Sequence, residues 1–130
     1  MEGIRILLVD DEDDFRQTLA KRMRKRKLEV VEAESGQAAI ELVKAQKVDI
    51  VVLDVRMPGM DGLEALAKIK EMSPLTEVIM LTGHASVESG IEGMRRGAFD
   101  YLMKPCDINE LILKIQDAYQ RKLVQEVGPA

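Results

Sequence analysis

Asp10, Asp11, Asp54, Thr82 and Lys104 are the residues of this sequence that could do chemistry as a group. They close four short apolar runs: "ILLVDD", "DIVVLD", "EVIMLT" and "DYLMK". Carboxylates brought together in this way need help. Two unit charges about 4 Å apart at an effective dielectric near 20 repel by roughly 4 kcal/mol. Such a cluster raises a pKa or recruits a cation. With oxygen donors and no histidine or thiolate among them, the set suits a hard divalent ion, and Mg²⁺ keeps enough of its waters to be held by two carboxylates. A carboxylate beside Mg²⁺ can attack a phosphoryl group and become an acyl phosphate. Lys104 as a point charge and the Thr82 hydroxyl as a donor would then neutralise the phosphoryl oxygens.

Residues this far apart in sequence meet only if a fold gathers them. Strands are expected at 4–10, 28–33, 49–55, 77–82 and 100–104, and the third is apolar at nearly every position, as a strand covered on both faces would be. Helical spacing lies between them: Phe15, Leu19 and Met23; Ala39, Leu42 and Val43; Leu63, Leu66, Ala67 and Ile69; Val87, Ile91 and Met94; Ile108, Leu111, Ile112, Ile115 and Tyr119. Asp61 and Asp107 read as N-caps with an acidic residue three positions on, and Ser35 and Ser86 as caps of the second and fourth helices. Five βα units with right-handed crossovers give an α/β fold, a doubly wound parallel sheet with helices on both faces. Ligands of such sheets bind beyond the carboxyl ends of the strands, where the five polar residues stand.

The 130 residues suit one domain, expected over 1–122 with a loose tail over 123–130. A net charge of −4 gives no global basic field for nucleic acid or acidic lipid. The single cysteine, Cys106, excludes an internal disulfide and fits a reducing compartment. No stretch reads as a signal peptide or a membrane span, so the expected location is the cytoplasm, without a direct nucleic-acid or membrane partner.

"ILLVDDE", "DIVVLDVRMPGMDGLE", "VIMLTG" and "GAFDYLMKP" closely resemble the receiver domains of two-component response regulators. The likeness runs from about residue 4 to residue 119 and is greatest to receivers of the nitrogen-regulator type. It implies a flavodoxin-like sheet of order 2-1-3-4-5, the order found in this family. It also implies that Asp54 accepts a phosphoryl group from a sensor histidine kinase. Asp11 and Asp54 would ligate Mg²⁺ directly with the backbone carbonyl of Arg56, and Asp10 would act through a metal-bound water. Thr82 and Lys104 would bind phosphoryl oxygens, and Tyr101 would turn inward with Thr82 as a switch. The Lys104–Pro105 bond would be cis. Phe15 and Pro105 would belong to the kinase-docking surface, while the fourth helix, fifth strand and fifth helix would signal to an output protein or missing effector domain, or pair in a phosphorylation-dependent homodimer.

The other conspicuous residues have plainer readings. Asp13 and Asp14 suit the positive end of a helix dipole. "KRMRKRK" at 21–27 reads as a solvated helix face, since Met23 continues the apolar stripe. His84 and Cys106 are expected to be incidental. Gly90 and Gly93 inside the fourth helix each cost up to about 1 kcal/mol relative to alanine, which marks it as the least stable element and the one a phosphoryl group would bias. Two other functions compete. A phosphatase with an aspartate nucleophile needs a general acid two residues after it, where Arg56 stands. A pseudo-receiver lacks part of the acidic cluster, which is complete here.

Overall fold

The computed structural model describes residues 3–83 and 87–128, so His84 and the expected cap Ser86 lie outside it. Five βα units follow one another: β1 (Arg5–Val9), α1 (Asp13–Lys25), β2 (Glu29–Ala33), α2 (Gly36–Ala45), β3 (Ile50–Leu53), α3 (Gly62–Met72), β4 (Glu77–Thr82), α4 (Val87–Arg95), β5 (Asp100–Met103) and α5 (Ile108–Val127). The strands are all parallel in the order β2-β1-β3-β4-β5. This is the flavodoxin-like arrangement.

Strand alternation divides the core in two. Ile6, Leu8, Ile50, Val52, Ile79 and Leu81 point to the side where Leu19 and Met23 of α1 and Leu111 and Ile115 of α5 cover them. Their neighbours Leu7, Val9, Val51, Leu53, Val78 and Met80 point to the other, against Ile40 of α2 and Leu66 and Ile69 of α3. Every residue of β3 is buried, as a central strand with both faces covered requires.

Three of the expected caps can be compared. The Ser35 hydroxyl accepts from the Ala38 N–H at 3.1 Å and the Asp61 carboxylate from the Glu64 N–H at 2.9 Å. Asp107 caps α5 one position earlier than a capping box would, accepting from Asn109 N–H at 2.7 Å.

α5 runs to Val127, so residue 122, where the domain is expected to end, lies within a helix. Lys122 is buried and pairs with Asp49 at 3.2 Å and with Glu126. In α4, Ile91 and Met94 are not anchors but about half exposed, at 50% and 49%. The helix instead rests on its glycines: a β-carbon at Gly93 would lie 2.4 Å from the Met80 sulfur. Phe99 precedes β5 and joins the α1/α5 core, while Tyr101 joins the opposite one. Among the described residues no helix is long and apolar enough to cross a membrane.

Candidate functional site

Parallel ladders continue past the strand ends and hold the site. Asp10 N–H donates to the Ala33 carbonyl at 3.1 Å, Asp54 N–H to Val9 at 3.0 Å, and Lys104 N–H to Thr82 at 2.9 Å. Each polar residue thus stands in register with its neighbour's terminus. The Arg16 guanidinium, itself buried, braces the corner from below by donating to the Asp10 carbonyl at 2.8 Å, to Asp13 at 2.8 Å and to Glu32 at 3.1 Å. On the other side α3 begins hard against Asp54, with Gly62 N–H donating to Val55 O at 2.7 Å. The Lys104–Pro105 bond is cis.

The Lys104 ammonium is the centre of the assembly. Its Nζ lies 2.6 Å from Asp10 Oδ2, 3.1 Å from Glu12 Oε1 and 3.7 Å from Asp54 Oδ2. It also rests 4.4 Å from the centroid of the Phe15 ring, a cation–π distance. Asp10, Asp54 and Thr82 are buried. Among the described residues, Asp54 Oδ1 has no hydrogen-bond partner. A buried oxygen without a partner is costly and rare, and it marks a place where a ligand would be welcome.

The electrostatics follow from this packing. Burial raises the Asp54 pKa and the Asp10 charge raises it further, against smaller opposing pulls from Lys104, the Thr82 hydroxyl and the Val55 N–H. For Lys104, burial pulls downward, but hydrogen bonds to Asp10 and Glu12 with the charges of Asp10 and Asp54 leave it above the ordinary lysine value.

Asp10, Glu12 and Asp54 each offer an oxygen, and these oxygens lie within 4.8 Å of one another. An all-oxygen group of this size, with an orphaned buried oxygen inside it, fits a hard divalent cation. Asp11, expected as a direct ligand, is exposed at the bend after β1 and is outside that group. Glu12 stands in it instead, and the sequence reading passed it over. Its signal was weak: one more acid in an acidic run, whose orientation only the turn into α1 decides. Arg56 is exposed in the loop after Asp54. Tyr101 is half-buried, its ring carbons 3.6 Å from where a β-carbon at Gly90 would be, and Met80 is its register partner on β4. Phe15 and Pro105 line, with Asp14, Thr18, Leu19, Arg22 and Cys106, one open groove of about 380 Å³.

The sequence from 6 to 116 matches the family model described as the response regulator receiver domain. The regulatory protein AtoC of Escherichia coli (strain K12) is 42% identical over 116 residues, 89% of this chain and 25% of that protein. The DNA-binding transcriptional regulator NtrC of the same organism is 34% identical over 131 residues, 95% of this chain and 28% of that one. This chain therefore spans about a quarter of the length of these relatives. Among solved structures, a response regulator protein from Burkholderia pseudomallei with a phosphorylated aspartic acid, calcium ion and citrate superposes with a TM-score of 0.84 at 25% identity, covering 98% of this chain and 76% of that one. Fold, strand-end chemistry and relatives agree, and the chain belongs to the response regulator receiver domains.

Proposed function

We propose that this receiver accepts a phosphoryl group on Asp54 from a sensor histidine kinase, in a reaction that depends on Mg²⁺, and that it changes surface as a result. The observation that carries the reading is the unpartnered Oδ1 of Asp54, buried at the meeting point of three acids and Lys104. A carboxylate oxygen would attack phosphorus in line as the bond from phosphorus to the donor's nitrogen breaks, leaving an acyl phosphate on Asp54. Asp10 and Asp54, with Asp11 and the Arg56 carbonyl nearby in the chain, would hold the cation. When bound, Mg²⁺ supplies charge neutralisation between the carboxylate and the incoming phosphoryl oxygens. Lys104 is tethered next to the reacting oxygens and needs to move little to pair with the new phosphoryl group. Thr82, the last residue of β4, offers its hydroxyl from the adjacent strand end.

The groove between Phe15 and Pro105 is the surface on which a kinase would dock. Output would run through Thr82 and Tyr101 to α4, β5 and α5, where Ile91, Met94, Met103 and Leu113 are exposed apolar residues suited to an output domain or a second copy. A turning-over aspartate phosphatase is less well supported, because the residue two beyond Asp54 is Arg56 and cannot serve as a general acid.

Intact mass separates these functions. Incubation with a small acyl-phosphate donor and Mg²⁺ should add one phosphoryl group to the wild type and none to Asp54→Asn. Many turnovers of released phosphate would favour the phosphatase, and no adduct on the wild type would defeat the phospho-acceptor reading.

A further inference from the structure

Glu12 has a backbone job and a side-chain position that do not match. It is the N-cap residue of α1, yet its side chain makes no capping hydrogen bond. Its own N–H is taken by Asp10 Oδ1 at 2.9 Å, which fixes the turn so that the carboxylate points away from the helix. There it meets Lys104, 92 residues along the chain, at 3.1 Å. We infer that Glu12 is a positioning residue for the divalent-cation site, acting through Lys104: it draws the ammonium outward and so keeps the inner oxygens of Asp54 open to the ion. The inference rests on the phospho-acceptor reading above for the identity of the ion.

The distances carry the argument. The ammonium has two inner attractors, Asp10 at 2.6 Å and Asp54 at 3.7 Å, and two outer ones, Glu12 at 3.1 Å and the face of Phe15 at 4.4 Å. It is longest to the carboxylate that a cation most needs. Asp54 Oδ1 is buried, unpartnered and able to accept an N–H. Removing the Glu12 charge leaves Lys104 with attractors only on the inner side and the ring. The flexible lysine stem then lets the ammonium settle on Asp54, where it competes with Mg²⁺ for the same lone pairs. A direct effect of Glu12 on the ion is the weaker route. Its side chain is 67% exposed, so water and salt screen its field at the inner oxygens. Its hold on a lysine that is only 10% exposed is not screened in the same way.

A double-mutant cycle tests this, with Mg²⁺ binding measured by calorimetry on the full chain without any phosphoryl donor. Glu12→Gln should raise the Mg²⁺ dissociation constant about fivefold or more in the wild-type background and by less than about twofold in a Lys104→Met background, the mark of an effect relayed by one partner. Lys104→Gln replaces Lys104→Met if thermal melts show that the latter does not fold. An unchanged constant in the wild-type background would overturn the inference. An equal loss in both backgrounds would overturn it too, by making Glu12 a ligand in its own right. The phospho-acceptor reading fails separately: the wild type would then take no phosphoryl adduct, whatever the outcome of the Mg²⁺ cycle.

Discussion

Gly62 backs onto the carbonyl oxygen of Asp54 so closely that a β-carbon there would lie 2.1 Å from it and 2.7 Å from the Val55 α-carbon. Both atoms are backbone, and neither can swing aside as a side-chain end would. The first turn of α3 thus fixes how far Asp54 projects beyond β3. Gly62→Ala should lose about 3 kcal/mol in urea unfolding, at the upper end of what overpacking costs, and should slow phosphorylation from a small donor even where the protein is folded. A variant with wild-type stability and rate would show that the contact relaxes without consequence.

Asp54 itself should lower stability when no divalent ion is present. Its folded pKa is raised, so protonation favours the folded state. The contribution is fully present below the unfolded carboxyl value near 4 and is lost as pH rises through the higher folded value. Asp54→Asn removes the titration. In chelator at neutral pH the variant should be more stable than the wild type by of order 1 kcal/mol, and the gap should close as pH falls toward 4. Adding Mg²⁺ should stabilise the wild type by roughly 2.7 kcal/mol at a hundred times its dissociation constant and Asp54→Asn much less. Melting curves across pH, with and without the ion, read both effects.

At the opposite end of the sheet, α5 is fastened by buried charge. Lys122 pairs with Asp49 at 3.2 Å, and Asp49 also accepts the Arg5 N–H at 2.9 Å. Nearby Arg121 reaches the fully buried Glu77, which Lys70 approaches at 3.3 Å, and lies 4.8 Å over the Phe99 ring. Lys122→Ala would leave Asp49 buried without its counter-charge, for which about 3 kcal/mol is the expected loss. Denaturant unfolding measures it. A loss near zero would mean that the last turns of α5 are not part of the cooperative unit.

These cases show what was and was not legible beforehand. Strands such as "IVVL" and "VIML" declared themselves because burial on both faces favours an unbroken apolar run, and their ends located Asp54 and Thr82 directly. The last turns of α5 gave little signal for a physical reason: Arg121, Lys122 and Glu126 have the composition of a solvated segment, and only the partner Asp49, just before β3, makes Lys122 interior, while Arg121 and Glu126 stay exposed. Glu12 was hidden because five acids in a row look alike until a turn decides which one faces Lys104. In α4 the close approaches to Met80 and Tyr101 are made at glycines, which carry no apolar signal, so the stripe of Ile91 and Met94 did not mark the inner face.

That inversion sharpens the expectation for α4. With Gly93 pressed against Met80 and Gly90 against Tyr101, the helix contributes few buried side-chain atoms, while Ile91 and Met94 stay half in water. Little apolar area then opposes its opening, and its glycines raise the backbone entropy it gains on opening. Amide exchange along Val87–Arg95 should be faster than along α1 or α5, and phosphorylation of Asp54 should change it, since Tyr101 links β5 to the Gly90 turn. Gly90→Ala probes the same contact: its β-carbon would meet the Tyr101 ring at an ordinary 3.6 Å, so the variant should protect α4 and narrow the change on phosphorylation. Protection of this segment equal to that of α5, and indifferent to the phosphoryl group, would remove α4 from the signalling path.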